Sequence, residues 1–251
     1  MVNLFALHEA AVDTSAITAN TVALIGDVVA AAVVADVRAD GYGHGAVEAA
    51  RAAIAGGATW LGVSSFRDGE ELRNAGLSAP TLSLAGDVPR ALEGLTPDAS
   101  DLPAIFLHGL ELYGLSGVGG THPAMRVSAR VVATKTIAAG EGVSYGHIYR
   151  ATEKTNLALV AIGYANGLDR FASNTGTLFF RGRPRLIAGR VAMNVSVIEL
   201  GDDHAEVGDE AVVFGHPDRG EPAIGEWAAS IRKKPDEVAA VFGSHLPRRY
   251  S

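Results

Sequence analysis

"VVADVRADGYGHGA", residues 33–46, decides how this chain is read. Its first half has the apolar density of a strand buried on both faces, the texture of parallel strands in an α/β layer. Its second half breaks into glycines, and an Ala-rich run follows. Asp36 and Arg38 interrupt the apolar stretch within three residues. Side chains two apart on a strand share a face, so both charges point to one side. They act there either as a mutually neutralising pair or as direct contacts to a substrate. The glycines of 42–45 permit positive φ, and His44 between them reads as a hydrogen-bonded loop residue.

Working outward, strand-like runs over 31–37, 59–65, 80–86 and 103–109 alternate with helical runs over 15–27, 45–58, 67–76 and 88–95. Such alternation is the pattern of βα units around a parallel sheet. A Ser or Thr caps the first of these helices in this reading. A Gly-rich linker at 116–123 ends the layer. Beyond it, apolar and polar residues alternate with period two over 124–137, 157–164, 175–182, 186–193, 195–200 and 209–215. These read as short antiparallel strands joined by Gly, Asn and Asp turns. One amphipathic helix is expected at 224–234, and the charged runs 232–237 and 246–250 read as solvated faces. The chain thus divides into a βα layer, residues 1–115, and a mostly antiparallel β domain, residues 124–251.

Composition removes several function classes. With 48% hydrophobic and 20% charged residues the chain is no disordered segment. A net charge of −7 offers no basic footprint for nucleic acid. The absence of cysteine removes disulfides, thiolate nucleophiles and Cys-type zinc sites. No apolar run reaches the ~20 residues of a membrane span, and no leader pattern opens the chain, so a cytoplasmic protein is expected. The eight histidines are scattered, with no pair at i, i+4 and no His-x-Glu cluster, so no metal site is expected.

The motifs at 38–65, "LELYGLS" (110–116), "AGEGVSYGHIY" (139–149), "LALVAIGYANG" (157–167), "AGRVAMN" (188–194) and "LPRRYS" (246–251) occur in the order seen in alanine racemase. The chain resembles that family. The resemblance implies an N-terminal (β/α) barrel carrying pyridoxal phosphate, a C-terminal β domain, and a homodimer in which each active site is shared between subunits. It also places the family's catalytic tyrosine at Tyr145, its cofactor cradle at Tyr42 and Gly109, and its substrate end at Tyr164, Met193 and Asn194.

Other positions depart from the family. The cofactor lysine falls at Arg38, whose guanidinium stays protonated and cannot form a Schiff base. The arginine facing the pyridine nitrogen falls at Leu107, in "LHG" (107–109), and a phosphate-gripping tyrosine falls near Asp236. The acids of two further motifs are Asn166 and Asn194. A full (β/α)8 barrel takes at least ~200 residues, far more than precede the linker. The fold expected is therefore α/β plus β, a truncated alanine-racemase-type barrel remnant followed by the β domain.

Three functions follow as expectations. The first is an enzyme without cofactor, isomerising, dehydrating or cyclising a small molecule, with Tyr145, His108, Asp36 and Arg38 as acid, base or oxyanion groups. The second is a non-catalytic ligand-binding or regulatory descendant. The third is a working racemase, the one reading that calls for pyridoxal phosphate. Tyr145 serves as an acid/base or packs with a satisfied hydroxyl.

Overall fold

The structure, a computed structural model, describes residues 7–26, 32–85, 90–91, 104–117 and 120–251. In chain order the elements open with β1 (His8–Val12), α1 (Thr14–Ile25), β2 (Ala32–Asp36), α2 (Arg38–Tyr42) and α3 (Ala46–Ala55). Next come β3 (Trp60–Val63), α4 (Phe66–Asn74), β4 (Thr81–Ser83), β5 (Arg90–Ala91), β6 (Ala104–Leu107) and α5 (Gly109–Leu112). The later half holds β7 (Met125–Ile137), β8 (Gly142–Val143), β9 (Tyr149–Arg150), β10 (Thr155–Val160), β11 (Thr177–Phe180) and β12 (Arg183–Leu186). It ends with β13 (Ser196–Gly201), β14 (Glu210–Phe214), α6 (Ile224–Ser230), α7 (Pro235–His245) and β15 (Arg248–Tyr250). The described residues form two compact units, one drawn from 12–125, 235–243 and 250–251, the other from 7–11, 126–234 and 244–249.

The first unit is built on a five-stranded sheet in the order β5-β4-β3-β2-β6. The pairs β4–β3, β3–β2 and β2–β6 are parallel, as their continuous apolar sequences require. The last parallel strand thus lies beside the first, the neighbour relation of a closed barrel. The ring does not close among the described residues, because the other side ends in β5, antiparallel to β4. Every residue of β2 is buried, and Ala32, Val34 and Trp60 form a core cluster with Leu82 and Phe106. Ala49, Ala50 and Ala53 give α3 a fully buried face. Such small side chains let helices pack close to a sheet and to one another.

Four details differ from the sequence reading. The cap of α1 is Asp13, whose carboxylate accepts from Ser15 N and Ala16 N; an ionised cap adds a favourable charge at the helix N-terminus. Residues 90–91 are strand, not part of a helix over 88–95, the remainder of which lies outside the described residues. Residues 188–193 turn away after an isolated bridge at Ile187 instead of forming a strand; Gly189, at φ +83°, sits at that turn. Finally, two helices stand where one was expected over 224–234, and the second, α7, starts at Pro235, where a missing N–H costs nothing and φ is already helical.

The second unit holds an eight-stranded sheet in which β12-β11-β14-β7-β1-β15 form the main path, with β10 pairing β7 and β13 pairing β10. The 13-residue β7 organises it. Residues 127–130 pair with β14 and residues 131–137 with β10, both antiparallel. At its start Arg126 bridges two carboxylates, Glu210 at 2.6 Å and Glu221 at 2.8 Å. No helix among the described residues is long and apolar enough to cross a membrane.

Candidate active site

The first unit brings Asp36, Arg38, Tyr42 and Gly109 together at the C-terminal end of the parallel strands, where barrel folds carry their sites. Asp36 ends β2 and is only 2% exposed. The Arg38 guanidinium grips it with both forks, Nε to Oδ1 at 2.9 Å and Nη2 to Oδ2 at 2.7 Å. Arg38 also donates its backbone N–H to Oδ1 at 3.2 Å and Nη1–H to Leu84 O at 3.3 Å. The Tyr42 hydroxyl donates to Oδ2 at 2.8 Å. Asp36 raises the Arg38 pKa further above its ordinary value through hydrogen bonding, against the opposing effect of burial. Asp36 faces Gly62 in the strand register, and a Cβ there would stand 2.3 Å from Leu84. That glycine leaves room for Leu84 to reach the guanidinium.

The chain immediately after Arg38 winds the wrong way. Ala39, Asp40, Gly41 and Tyr42 all have φ between 50° and 61°, a left-handed turn that costs ~1–2 kcal/mol per L-residue. Local bonds hold it: Gly41 N to Val37 O, Gly43 N to Ala39 O, and Asp40 Oδ1 accepting from Ala46 N at 2.8 Å. The left-handed turn directs Tyr42 back onto Asp36 and across Gly109, where a Cβ would stand 2.3 Å from the Tyr42 ring. His44 is fully buried, with Nδ1 against the Gly41 and Tyr42 carbonyls. Its ring stacks on Tyr113 at 4.4 Å.

His108 is exposed and stands at the N-terminus of α5, with its backbone oxygen accepting from Leu112 N. Leu107 is buried. Sequence reasoning passed over two participants. Tyr113 is fully buried and donates to the Asp36 backbone oxygen at 3.0 Å. Its place in "LELYGLS" was a motif match without a role. Leu84 contributes through its carbonyl, for which no side-chain pattern exists.

The second unit presents Tyr145, Tyr164, Met193 and Asn194. Tyr145 opens a single 3-10 turn, Tyr145–His147, and is 76% exposed. Three residues of this turn have positive φ: Ser144 at 60°, Gly146 at 77° and His147 at 46°. Ser144 Oγ donates to Arg190 O at 2.8 Å, and His147 packs where a Cβ on Gly142 would stand 2.5 Å away. The tyrosine is thus held out on a strained but anchored support. Tyr164 starts another 3-10 turn, its N–H bonded to Ala192 O, with Arg170 over its ring at 5.7 Å. Met193 O accepts from Ala165 N, which joins the Tyr164 and Met193 segments, and Asn194 beside it is exposed. Asn166 is buried; its Oδ1 accepts from Gly163 N and its Nδ2 contacts His8 Nε2 at 3.3 Å. Among the described residues there is no cluster of three potential metal ligands.

Residues 124–250 match the alanine racemase C-terminal domain, and residues 12–101 match the alanine racemase N-terminal domain. The alanine racemase of Frankia casuarinae is 30% identical over 96% of this chain and 95% of its own length, and that of Thermobifida fusca is 30% identical over 97% and 98%. The Frankia alignment spans 366 positions against a chain of 251 residues, so part of that relative's sequence has no counterpart in this chain. Among solved structures, alanine racemase from D-cycloserine-producing Streptomyces lavendulae superposes with a TM-score of 0.86 at 27% identity, covering 97% of both chains. These findings overturn two expectations drawn from the departed motifs. Near-full-length similarity to proteins named as racemases speaks against a cofactor-independent isomerase, lyase or cyclase, and against a chain to which no cofactor belongs. The family is one of isomerases that use pyridoxal phosphate, and this chain belongs to the alanine racemase family.

Proposed function

We propose that the chain carries its family's isomerase activity, interconverting the enantiomers of a small amino acid, with Tyr145 as the proton-carrying group and two copies completing each other's sites. The observation behind this reading is the turn at 144–147. Backbone strain of order 1–3 kcal/mol per residue persists where surrounding bonds over-determine it, and such positions cluster at functional sites. Here the strain presents one phenol almost fully to solvent, in the intact motif "SYG". A tyrosine used for packing would be buried.

Pyridoxal phosphate does not fit the strand layer in the lysine-attached form. Arg38 stands where the family's lysine falls, and the first lysine of the chain is Lys135, outside that layer. A guanidinium does not give up its proton in proteins, so no step is derived through the cofactor. Arg38 favours a second reading, in which a lysine-bearing racemase chain supplies the amine and this chain supplies Tyr145. Both readings are tested by a chiral assay of L-alanine with added pyridoxal phosphate. The chain is assayed alone, and then mixed with a complete racemase whose own tyrosine is replaced by phenylalanine. Conversion by the chain alone supports the first reading; conversion only on mixing supports the second. Tyr145→Phe is expected to lower either rate by ~10²–10⁴-fold, the usual contribution of a positioned acid or base. No conversion in any arm overturns both.

A further inference from the structure

An amine at position 38 would have to be uncharged to attack an aldehyde, and its neighbour decides whether it is. Asp36 is buried, both its oxygens are committed to the residue 38 side chain, and Tyr42 donates to Oδ2 as well. An opposite charge at such distances shifts a neighbouring group toward its charged form by ~1–3 pKa units. We propose that Asp36 is a positioning residue that commits position 38 to a permanent cation, so that the site's refusal of a covalently held cofactor lies in Asp36 as much as in Arg38. The geometry is a built one. Asp36 is fixed at the end of a fully buried strand, opposite Gly62, with Tyr113 holding its backbone oxygen and Tyr42 its side chain. A lysine introduced at 38 meets the same carboxylate and stays an ammonium.

The chemistry that reports this is simple. A neutral lysine amine adds to the aldehyde carbon of pyridoxal phosphate and water leaves. Borohydride then delivers hydride to the resulting C=N carbon, leaving a secondary amine that survives digestion. Two full-length variants are compared at neutral pH, Arg38→Lys and the double variant Asp36→Asn/Arg38→Lys. Peptide mass spectrometry measures the pyridoxyl group at position 38. Asparagine keeps an acceptor for Tyr42 while removing the charge. The double variant is expected to label at least ~10-fold more than Arg38→Lys, since each pKa unit changes the neutral fraction tenfold. Equal labelling at any level, including none, overturns the proposal.

Should the double variant fail to fold by circular dichroism, trace acetylation of Arg38→Lys across pH gives an independent measurement. A midpoint above that of an ordinary lysine supports the proposal, and one at or below it overturns the proposal. Neither readout involves turnover, so the outcome is separable from that of the alanine assay.

Discussion

Tyr42 and Tyr113 approach Asp36 from two sides, one on the carboxylate and one on the backbone oxygen, and both phenols are harder to ionise than usual. Burial is the main cause in each, with the charge of Asp36 next; Tyr42 is pushed up from 10.0 to about 12. A folded-state pKa above the unfolded one means a stabilisation that is complete below pH 10 and lost as pH rises through about 12. For partly buried Tyr42 the loss is ~1 kcal/mol after solvent screening. Denaturant melts between about pH 9 and pH 12 check this: Tyr42→Phe is expected to flatten the decline relative to the unmodified chain. An equal slope in both proteins would remove Tyr42 from the account.

At the scale of elements, α7 is held to the left-handed turn by glycine meeting glycine. A Cβ on Gly243 would lie 2.0 Å from Gly43 O, and one on Gly43 would lie 2.4 Å from Ala239 O. Alanine in a helix ordinarily gains ~1 kcal/mol over glycine. Here the sign is expected to reverse, because backbone cannot yield as a flexible side chain would. Gly243→Ala should lose ~1–3 kcal/mol, the usual cost of overpacking, read as a lower Tm. Gly225→Ala, in α6 with open space where a Cβ would stand, is the control expected to hold or gain.

The sequence made the parallel strands legible because continuous Val and Ala runs have few other uses. It also paired Asp36 with Arg38; the ion pair forms, although β2 ends at Asp36 and Arg38 opens α2 instead of sharing a strand face with it. The left-handed run was hidden: Ala39 and Tyr42 carry no mark of positive φ, and bonds within 37–43, from Ala46 N to Asp40 and from Tyr42 to Asp36 hold it. The helix at Pro235 was readable from proline at a helix start, but the charges around it read more readily as loop. The protruding Tyr145 turn was visible through its motif alone, since nothing local in "VSYGHIY" foretells a bond from Ser144 to Arg190.

For the molecule as a whole, a parallel sheet that does not close among the described residues leaves backbone donors and acceptors on which other strands can add. Two copies are expected to cover such edges, and light scattering at micromolar concentration should give a mass near twice 25.9 kDa. A stable monomer would remove the shared-site part of the proposed function. One edge has already been dealt with inside the chain. By turning back on β4, β5 fills its free hydrogen-bonding side with a strand of opposite sense. A parallel neighbour in that place would need a crossover of a dozen or more residues. Strands transplanted from a full-length relative and spliced in after residue 91 would therefore find no vacant parallel berth beside β4. Rebuilding the ring requires residues 90–91 to be cut out first, so this fold can regain its missing half by replacement but not by addition.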